Sequence, residues 1–599
     1  MVNNSLTVLR SILFPRTELC TQNELYFRLA DGSVQYCEAE NCLKLQGTAA
    51  FDTYFNGLPL SAYQHYCIPS ALFLRLRVCG SFVLRVFGVH KHDVEFCETL
   101  LTQKEIHCSA VTENVTDLSA VLQQENCDML YFTLQSSDGV LYGGEFLCGS
   151  ERPFGINIAV VICTFRRESF LLRNYRQISS YLNNSTVLHR NNIHLYIVDN
   201  GRTLDSAALN SDFITVIPND NTGGSGGFSR GYYEAVRSEK DYTHILFMDD
   251  DILLDCEMLL RVYSLLRIRK PAFEDLAVGG TMLKLSDMVT QHEAGALWDG
   301  KRLHSIGNGI DMTQRRAVFE SVYYPECDYN AWWFYCFPAD WQKQYGYPLQ
   351  FFVKEDDIEY SLRCASHIAV LSGIAVWHDD FDGKYDGFQE YYIKRNELIL
   401  TSVHKQKSYL LFQLRKLLLS VMKQTVYQRY FLADIIIRAY RDYLKGWKAF
   451  NETDTVLLNE ELMTYCNVFK TDEELLKEDG VYFDPQKYET SLSEPENLKK
   501  QALSCNGYLI PYVFYHKDQD NFSVCDLARC RIVNFYKHKR VLHYDPDRQK
   551  GFVTRQKKGL LFWNLLRVIG LSVRFLVQYP FVRRGYRKHL KELGAYPKT

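Results

Sequence analysis

The sequence predicts an α/β protein whose central part is a mostly parallel sheet, with a β domain before it and a helical domain after it. Two observations carry this prediction. Continuous apolar runs at 156–163, 193–198, 213–217 and 244–248 are separated by helical patterns, which is typical of parallel strands covered on both faces. Polar clusters follow the ends of these runs, where open α/β sheets bind their ligands. The central part should therefore carry the functional site.

The chain length indicates more than one domain. Its 599 residues exceed the size at which a single core keeps growing, so three domains are expected. Short strand-like runs such as 82–87 and 129–134, separated by turn signals, predict an N-terminal β-sandwich at 1–150. A scaffold role is favoured for it over carbohydrate handling. The α/β domain should cover 151–404, and helical patterns predict a helical domain at 405–599.

The composition excludes some classes of protein. Lys and Arg number 68 against 71 Asp and Glu, so the net charge of −3 gives no overall footprint for nucleic acid. The 18 cysteines form no C-x-x-C pair, and the N-terminus shows no charged segment followed by a long apolar stretch. A reduced, cytoplasmic protein without a secretory signal is expected.

Three consecutive aspartates, Asp249, Asp250 and Asp251, follow the apolar run at 244–248. Because unpaired carboxylates are costly to bury, such a cluster either ends a strand at solvent or holds a cation. Mg²⁺ and Mn²⁺ prefer oxygen ligands, often one or two carboxylates. Alternation along an extended chain would place Asp249 and Asp251 on one side and Asp250 on the other. A solvated acidic turn is the alternative.

A glycine-rich segment at 219–231 leads into a helix predicted to begin near Tyr232. Glycines let the backbone approach a ligand, and a helix N-terminus favours negative charge. The segment matches neither a Walker A motif nor G-x-G-x-x-G at a first βα unit. Arg230 would contact either a phosphate or a carboxylate at the helix start. A flexible surface loop is the alternative.

Three clusters farther along complete the candidate site. The pair Trp332 and Trp333 would form either a platform for sugar rings or buried core. The acids at 355–359 include Asp356 and Asp357 and open a helical pattern, where they also suit the helix dipole. His378 ends a strand, either as a metal ligand or as a structural residue.

Taken together and in this order, the motifs resemble those of the GT-A glycosyltransferases of family 2, and among these the galactan-building galactofuranosyltransferases. The resemblance is detailed over about 155 to 400. It rests on Thr164-Phe165-Arg166, Gly-Gly-Ser-Gly-Gly-Phe at 223–228, Phe247-Met248-Asp249-Asp250-Asp251, Trp332-Trp333, Asp356-Asp357-Ile358-Glu359-Tyr360, Trp377-His378 and Arg395-Asn396. It implies a Rossmann-like GT-A catalytic domain.

The resemblance also implies a role for each matching residue. Mn²⁺ or Mg²⁺ would be held by Asp249, Asp251 and His378, and Asp357 would be the general base of an inverting transfer. The nucleotide-sugar contacts would be Thr164, Phe165, Arg166, Asp199, Arg230 and Asp250. The acceptor contacts would be Glu293, Trp332, Trp333 and Asp356.

The implied reaction moves galactofuranose from UDP-galactofuranose to a glycan or lipid-linked glycan in cell-surface polysaccharide synthesis. One position departs from the resemblance: Ile393 stands where the galactan polymerases have a His in the acceptor site. The resemblance therefore implies the same donor chemistry, but it does not imply the same acceptor or a polymerising activity. A rhamnosyl or pyranosyl donor and a catalytically silent sugar-binding scaffold are the alternatives.

The segment at 559–582 is apolar but contains Arg567 and Arg574, and basic residues flank it. Internal arginines favour a helix that lies at the membrane interface over one that spans the membrane. A core helix with a basic rim explains the pattern as well as the interfacial helix does. The interfacial interpretation predicts a peripheral protein on the inner face of the cytoplasmic membrane. A homo-oligomer is left open.

Overall fold

The computed structural model describes residues 6–124, 126–380, 387–405, 409–493, 495–515, 522–527 and 529–596. These residues divide into two compact units. The first comprises 6–348, 357–380 and 596, and the second comprises 349–356 together with the described residues from 387 to 595.

The first unit begins with an antiparallel sheet, which contains six strands among the described residues. Three of these strands are 21 to 23 residues long and turn through bulges such as the one at Val78 and Gly80. Along β4 the side chains alternate between buried and partly exposed, as expected for a sheet with one face in a core. The elements are β1 Leu6–Ser11, β2 Arg28–Cys37, β3 Cys42–Ala50, α1 Leu60–Tyr66, β4 Ala71–His92, β5 Glu95–Asp117 and β6 Met129–Gly149.

The predicted antiparallel strands of the N-terminal part are therefore present. Their hydrogen bonds link them into one continuous sheet in the order β2-β3-β6-β4-β5, with β1 paired to β6. The sequence did not reveal this continuity, because each long strand reads as two short runs on either side of a bulge.

The second part of the first unit is a mixed sheet with helices, nine-stranded as far as the chain is described. Its strands and helices are β7 Ile158–Thr164, α2 Glu168–Asn184, β8 Ile193–Asp199, α3 Ser206–Leu209, β9 Ile214–Pro218, α4 Gly223–Arg237, β10 His244–Asp249, α5 Glu257–Arg267, β11 Ala277–Lys284, β12 Thr290–Glu293, β13 Ala296–Trp298, β14 Leu303–Ser305, β15 Ile310–Asp311, α6 Arg315–Ser321, β16 Phe334–Pro338, α7 Trp341–Tyr345, α8 Asp356–Cys364 and β17 Ile368–His378. Strands β13 and β14 form a separate hairpin.

The strand order explains where a ligand can bind. Strands β9, β8, β7 and β10 are parallel neighbours in that order, so the first strand of the domain has the second on one side and the fourth on the other. The connections after β7 and β10 leave in opposite directions, which opens a crevice at the carboxyl ends of these two strands. The antiparallel β16 joins β10 to β11, and β17 runs parallel to β11. The predicted fold class, a mostly parallel α/β sheet of the GT-A type, is confirmed.

The second unit is mainly helical. Its described elements are α9 Gln389–His404, α10 Leu410–Val426, α11 Tyr430–Leu444, α12 Trp447–Glu452, α13 Thr455–Met463, β18 Lys470–Thr471, α14 Asp472–Glu474, α15 Pro485–Ser493, α16 Leu498–Leu503, β19 Ser523–Asp526, β20 Arg540–Asp545, β21 Lys550–Arg555, α17 Lys558–Lys588 and α18 Leu590–Leu593. Helices α9, α10, α11 and α17 share one core, in which Tyr440, Tyr443 and Phe575 are buried.

The second unit also contains a four-stranded sheet in the order β18-β21-β20-β19, counted over the described part of the chain. The sequence reading missed this sheet and predicted helices alone. The strands are two to six residues long, which is too short for a period of two to stand out from its surroundings. The two predicted boundaries between the three domains remain a prediction.

Candidate active site

The candidate site lies at the carboxyl ends of β7 and β10. Thr164 is the last residue of β7, and Asp249 is the last residue of β10 and pairs with Cys163. The Thr164 hydroxyl donates a hydrogen bond to Oδ2 of Asp250 at 2.6 Å, which joins the two strand ends. Polar side chains therefore meet at the crevice that the strand order creates.

Asp249, Asp251 and His378 converge at this crevice. One candidate ligand atom from each lies within 4.8 Å of the others, and this is the group of metal-ligating side chains found in the part of the chain that the structure describes. Nε2 of His378 is 3.2 Å from Oδ1 of Asp251 and 3.7 Å from Oδ2 of Asp249. Nδ1 of His378 lies 2.7 Å from the carbonyl oxygen of Asp379, so the backbone can accept its proton and leave Nε2 for a ligand. Two carboxylate oxygens and one imidazole nitrogen suit Mn²⁺ or Mg²⁺.

The three aspartates differ in their hydrogen-bond partners, and their pKa values differ accordingly. Burial raises the pKa of Asp249, and it raises the pKa of Asp250 to about 6 despite the hydrogen bond from Thr164. Burial acts in the same direction on Asp251, but the hydrogen bond with His378 outweighs it and holds the Asp251 pKa low. The same contact raises the pKa of His378 against the effect of burial. Without a cation the cluster thus relies on protons to offset its charge, and a divalent cation would displace them.

Sequence reasoning missed Arg167. Its Nη1 atom lies 3.4 Å from Oδ1 of Asp250 and forms a closer ion pair with Oδ2 of Asp251. The side chain is about half exposed, at 48%. Arg167 follows the Thr164-Phe165-Arg166 motif directly, and its position one residue beyond that motif was the available signal. Arg167 therefore places a positive charge against both carboxylates and can accompany an anionic ligand there.

The glycine-rich segment corrects one prediction, because helix α4 begins at Gly223 and not near Tyr232. Most of its glycines lie inside the helix, where they let α4 pack closely on β7. A Cβ atom on Gly227 would lie 2.2 Å from Sγ of Cys163, and one on Gly231 would lie 2.3 Å from Cγ1 of Val161. The segment is therefore a close helix–strand contact, and the flexible-loop alternative is wrong.

Arg230 consequently lies two turns inside α4 and not at the start of the helix. Its Nε donates a hydrogen bond to Oε1 of Glu234 at 2.9 Å, one turn farther along. Arg230 thus has a carboxylate partner on its own helix. Its predicted contact with phosphates is untested, and Arg167 lies nearer to the aspartates.

The remaining residues predicted to hold the nucleotide surround the end of β7. Phe165 and Arg166 are exposed, and the Arg166 guanidinium lies 5.2 Å from the Phe165 ring centre. Asp199, at the end of β8, is buried and accepts backbone hydrogen bonds from Gly201 and Leu204 at 3.0 and 2.7 Å. Asp199 therefore fixes the turn after β8, while Phe165 and Arg166 present open surfaces.

Asp357 lies in the first turn of α8, and the residues that follow it in this helix are held by an ion pair and by packing in the core. Glu359 and Arg363, both buried, form an ion pair at 2.8 Å, and Nη2 of Arg363 also donates a hydrogen bond to the carbonyl oxygen of Tyr347 at 3.0 Å. Tyr360 is fully buried in the core of the sheet. The acids of this motif therefore have separate tasks: Glu359 anchors the helix, and Asp357 is held at its start.

Glu293, at the end of β12, lies near enough to Asp357 for their charges to interact. Ser305 on β14 donates a hydrogen bond to Oε2 of Glu293, while Oε1 is buried without a hydrogen-bond partner in the described structure. Burial, followed by the charge of Asp357, raises the Glu293 pKa to about 7. An unpartnered buried oxygen beside Asp357 is suited to a ligand hydroxyl.

The two tryptophans are buried, which agrees better with the core alternative than with a platform for sugar rings. Trp332 packs edge-on against Phe228 and Phe247, with ring centres 5.4 and 4.9 Å apart. Trp333 is also buried, and its Nε1 donates a hydrogen bond to the carbonyl oxygen of Gly280 at 2.7 Å. Asp356 is buried and belongs to the second unit. Their acceptor roles remain predictions.

Asn396 is a second residue whose role the sequence did not reveal. In the second unit its side-chain amide donates hydrogen bonds to the carbonyl oxygens of Phe351, Val353 and Lys354 at 3.2, 3.0 and 2.9 Å. The same turn holds Phe352, Lys354 and Glu355 at positive φ angles of 73°, 69° and 68°. Residues other than glycine rarely adopt a positive φ angle unless the surrounding structure supports it. Asn396 therefore supports the turn that leads directly into α8.

Comparison with protein families agrees with this geometry. Residues 159–281 match the family model Glycosyl transferase family 2, a segment that runs from β7 into β11 and includes the three aspartates. The chain contains a family 2 glycosyltransferase domain. Glu293, Asp357 and His378 lie beyond the matched segment, so their assignment rests on the geometry and on the motifs.

Two relatives extend the similarity beyond this domain. The chain is 28% identical over 486 residues to galactofuranosyltransferase GlfT2 of Mycobacterium tuberculosis, covering 74% of this chain and 72% of the relative. It is 25% identical over 437 residues to galactofuranosyltransferase GlfT2 of Mycolicibacterium smegmatis, covering 67% and 66%. A solved structure, mannosyltransferase PcManGT from Pyrobaculum calidifontis with GDP-Man and Mn²⁺, is 10% identical over 53% of this chain and 76% of that one. Its TM-score to this chain is 0.28.

Proposed function

We propose that this glycosyltransferase moves galactofuranose from UDP-galactofuranose to a hydroxyl of a glycan or lipid-linked glycan, with inversion at the transferred carbon. One observation carries the proposal most directly: Asp249, Asp251 and His378 form a ligand set at the switch point of a family 2 domain. The name of the two relatives supports the choice of sugar.

The donor half of the site would hold a nucleoside diphosphate. Asp249, Asp251 and His378 would bind Mn²⁺ or Mg²⁺, which when bound supplies positive charge for the leaving diphosphate. Arg167 would exchange its carboxylate partner Asp251 for a phosphate oxygen as the donor enters. Asp250 would hold the ends of β7 and β10 together through the hydrogen bond that it accepts from Thr164.

The acceptor half would contain two carboxyl groups with different protonation states. Asp357 would accept the proton of the attacking hydroxyl, which then displaces UDP in one step without a covalent enzyme intermediate. Glu293, whose pKa burial raises to about 7, can keep its proton and donate a hydrogen bond to the acceptor through its unpartnered oxygen. Ile393 on α9 stands where a polymerase of this kind would have a His, so the acceptor is left as a class.

A donor screen tests the proposal. The full chain with Mn²⁺ and a synthetic galactofuranosyl acceptor should release UDP from UDP-galactofuranose faster than from UDP-galactopyranose or UDP-glucose, and faster than dTDP is released from dTDP-rhamnose. Preference for a pyranose or rhamnose donor would overturn the choice of sugar and leave the metal and base assignments standing. If none of the four donors releases its nucleotide, a catalytically silent sugar-binding scaffold is favoured.

We further propose that α17 holds the protein on the inner face of the cytoplasmic membrane. By length and composition α17 is the described helix apolar enough to cross a membrane. One side of it packs in the core of its own unit, where Val568, Leu571 and Phe575 are buried. The other side exposes Phe562, Trp563, Leu566, Ile569, Val573, Val577 and Phe581. A helix that packs in a core on one side and exposes apolar side chains on the other is suited to lying along a membrane surface.

The charges beside this exposed side favour an anionic surface. Arg583, Arg584, Arg587 and Lys588 gather at the end of α17. Each basic residue near an anionic bilayer contributes about 1 kcal/mol, and buried apolar side chains add to it. The occupant proposed is therefore a lipid surface.

Vesicle binding tests the membrane proposal. Deleting α17 would remove part of a core, so substitutions on its exposed side are more informative. The double variant Leu566→Glu, Val577→Glu should lose binding to vesicles containing phosphatidylserine and keep UDP release with a soluble acceptor. Val94→Glu, on an exposed loop of the first unit, is the matched control. Unchanged vesicle binding would contradict the proposal, and a drop in sedimentation mass instead would make this side an interface between copies.

A further inference from the structure

Two cysteines of the second unit lie in contact, away from every residue assigned above. Sγ of Cys525 is 3.3 Å from Sγ of Cys530, and both are free thiols. A disulfide bond is about 2.05 Å long, so a movement of roughly 1 Å would join the two sulfur atoms. The pair is separated by four residues along the chain and forms no C-x-x-C motif, which is why the sequence did not single it out.

The two thiols differ in burial and in charge environment. Cys525 is completely buried in β19, while Cys530 is partly exposed. Burial raises the pKa of Cys525. The hydrogen bond from Cys525 lowers the pKa of Cys530 against the effect of burial, and the positive charges of Arg429 and Lys423 lower it further. One sulfur is therefore accessible and prone to form a thiolate, and the other stays protonated beside it.

Local structure holds the pair together. Cys525 pairs in parallel register with His543 of β20 and packs in a small core with Phe535 and Val541. The backbone N–H of Arg529, the residue before Cys530, donates a hydrogen bond to Oδ1 of Asp526, the last residue of β19, at 2.7 Å. Cys525 is thus fixed by a strand, and the residue before Cys530 is tied to the end of that strand.

We propose that Cys525 and Cys530 form a redox-active dithiol that hydrogen peroxide converts reversibly into a disulfide. The Cys530 thiolate attacks one oxygen of peroxide, the O–O bond breaks, and the leaving hydroxide takes a proton to become water. Sγ of Cys525 then attacks the resulting sulfenic acid at Cys530, the S–O bond breaks, and the hydroxyl leaves with the thiol proton as a second water. Two thiols lose two electrons in total, and one peroxide is reduced to two waters.

The linked peptides can be detected directly. Trypsin cleaves after Arg529, between the two cysteines, so the disulfide appears as two peptides joined through sulfur. The reduced full-length chain, treated with hydrogen peroxide at pH 7 and digested without reductant, should yield this joined pair at a mass two hydrogens below the sum. Dithiothreitol should separate the peptides again. Cys530→Ser should abolish the pair, and Cys525→Ser should leave a sulfenic acid at Cys530 that dimedone traps.

The exposed Cys97 on β5 is the reference thiol. In the native chain at pH 6.5, iodoacetamide should alkylate Cys530 faster than Cys97, because a lowered pKa leaves more of the Cys530 thiol as the reactive thiolate. The native chain carries this measurement, so it does not depend on whether the variants fold. Alkylation of Cys530 no faster than that of Cys97, or absence of the joined peptides at a peroxide concentration that oxidises Cys97, would overturn the proposal.

Discussion

The hydroxyl of Tyr329 donates a hydrogen bond to Oδ2 of Asp357 at 3.1 Å. Oδ1 of the same carboxylate accepts the backbone N–H of Ile358 at 2.8 Å. Tyr329 is itself buried, and the backbone N–H of Ala296 donates to its carbonyl oxygen at 3.0 Å. The carboxylate of Asp357 is thus oriented from two sides, as a general base must be before a hydroxyl arrives.

Asp357→Asn should lower turnover about 10²- to 10⁴-fold and leave donor affinity near normal, because an amide keeps the shape of the carboxylate but cannot accept the proton. UDP release under saturating donor, together with UDP binding by calorimetry, measures the two quantities. Tyr329→Phe should have a smaller effect of the same kind, since it frees the carboxylate without removing it. Weak donor binding with preserved turnover would contradict the assignment of Asp357.

Asp251→Ala should abolish transfer and the dependence of UDP binding on Mn²⁺. Asp251 contacts both His378 and Arg167, so its loss removes one of the three proposed ligands and releases Arg167 from its carboxylate partner. Titrating UDP with Mn²⁺ and then with EDTA separates the metal-dependent part of the affinity. Asp220→Ala is a suitable control, because that carboxylate is exposed and its ion pair with Arg202 lies at the surface. Full activity of the Asp251 variant would remove the metal assignment.

Gly231→Ala should destabilise the first unit by about 1–3 kcal/mol, because α4 would have to move away from β7. The added Cβ would lie 2.3 Å from Val161 and 3.0 Å from Val198. Gly224→Ala is the matched control on the same helix, since nothing lies within 4 Å of its Cβ position. This second change should be neutral or stabilising by up to about 1 kcal/mol. Thermal unfolding of the two variants compares them, and equal stability would contradict the packing role of the glycines.

Much of the fold and part of the site could be predicted from the sequence. Asp249 and Asp251 follow a continuous apolar strand, and this local pattern was enough to place both at the end of β10 on one side of the chain. The order of the motifs then indicated His378 as the third member, although 127 positions separate it from Asp251. That grouping is non-local and came from the resemblance, not from periodicity.

The missed features depend on contacts that leave no periodic trace. Gly227 and Gly231 were predicted to lie in a loop, because the sequence does not show how near a strand will pass. Arg167 was passed over since nothing local tells which arginine of an adjacent pair turns inward. Asn396 supports a turn more than 40 positions earlier in the chain, with a single amide serving three carbonyl groups. Such roles need the folded structure.

Asn396→Leu should lower both the stability of the second unit and turnover. The change removes the amide that donates to three carbonyl oxygens. The oxygen of Phe351 keeps a hydrogen bond from Arg395 at 3.0 Å, whereas the partly buried oxygens of Val353 and Lys354 lose the Asn396 donor, and a buried group left unsatisfied costs about 1–3 kcal/mol. The turn at 351–355 leads into α8, so Asp357 should lose its fixed position and kcat should fall more than donor affinity. Asn459→Leu, on α13 of the same unit, is the comparison, because this half-buried side chain serves a single hydroxyl in the described structure, accepting a hydrogen bond from Tyr392 at 3.4 Å. Unfolding curves and UDP release of the two variants measure the difference, and equal behaviour would contradict the role of Asn396.

Glu293 should make stability fall as the pH rises from about 4.5 to about 7. Its pKa in the folded state is raised to about 7 from an ordinary value of 4.5, so in this range the folded chain holds a proton that the unfolded chain has lost. Each proton held only by the folded state stabilises it at low pH, and this contribution is lost once the pH passes the folded pKa. A shift of this size corresponds to about 3 kcal/mol.

Glu293→Gln should remove this dependence, because the amide does not titrate and Ser305 can still donate to its oxygen. Unfolding at pH 5 and pH 8 should therefore show the variant gaining stability relative to the native chain as the pH rises. Asp311→Asn is the control that should not depend on pH in this range: hydrogen bonds from Thr313 and Gln314 lower the pKa of that carboxyl below its ordinary value of 3.8 despite burial, so its contribution is already complete at pH 5 and stays constant to pH 8. Parallel pH profiles of the native chain and Glu293→Gln would show that Glu293 ionises at its ordinary pH. This result would contradict the proposal that protonated Glu293 donates a hydrogen bond to the acceptor.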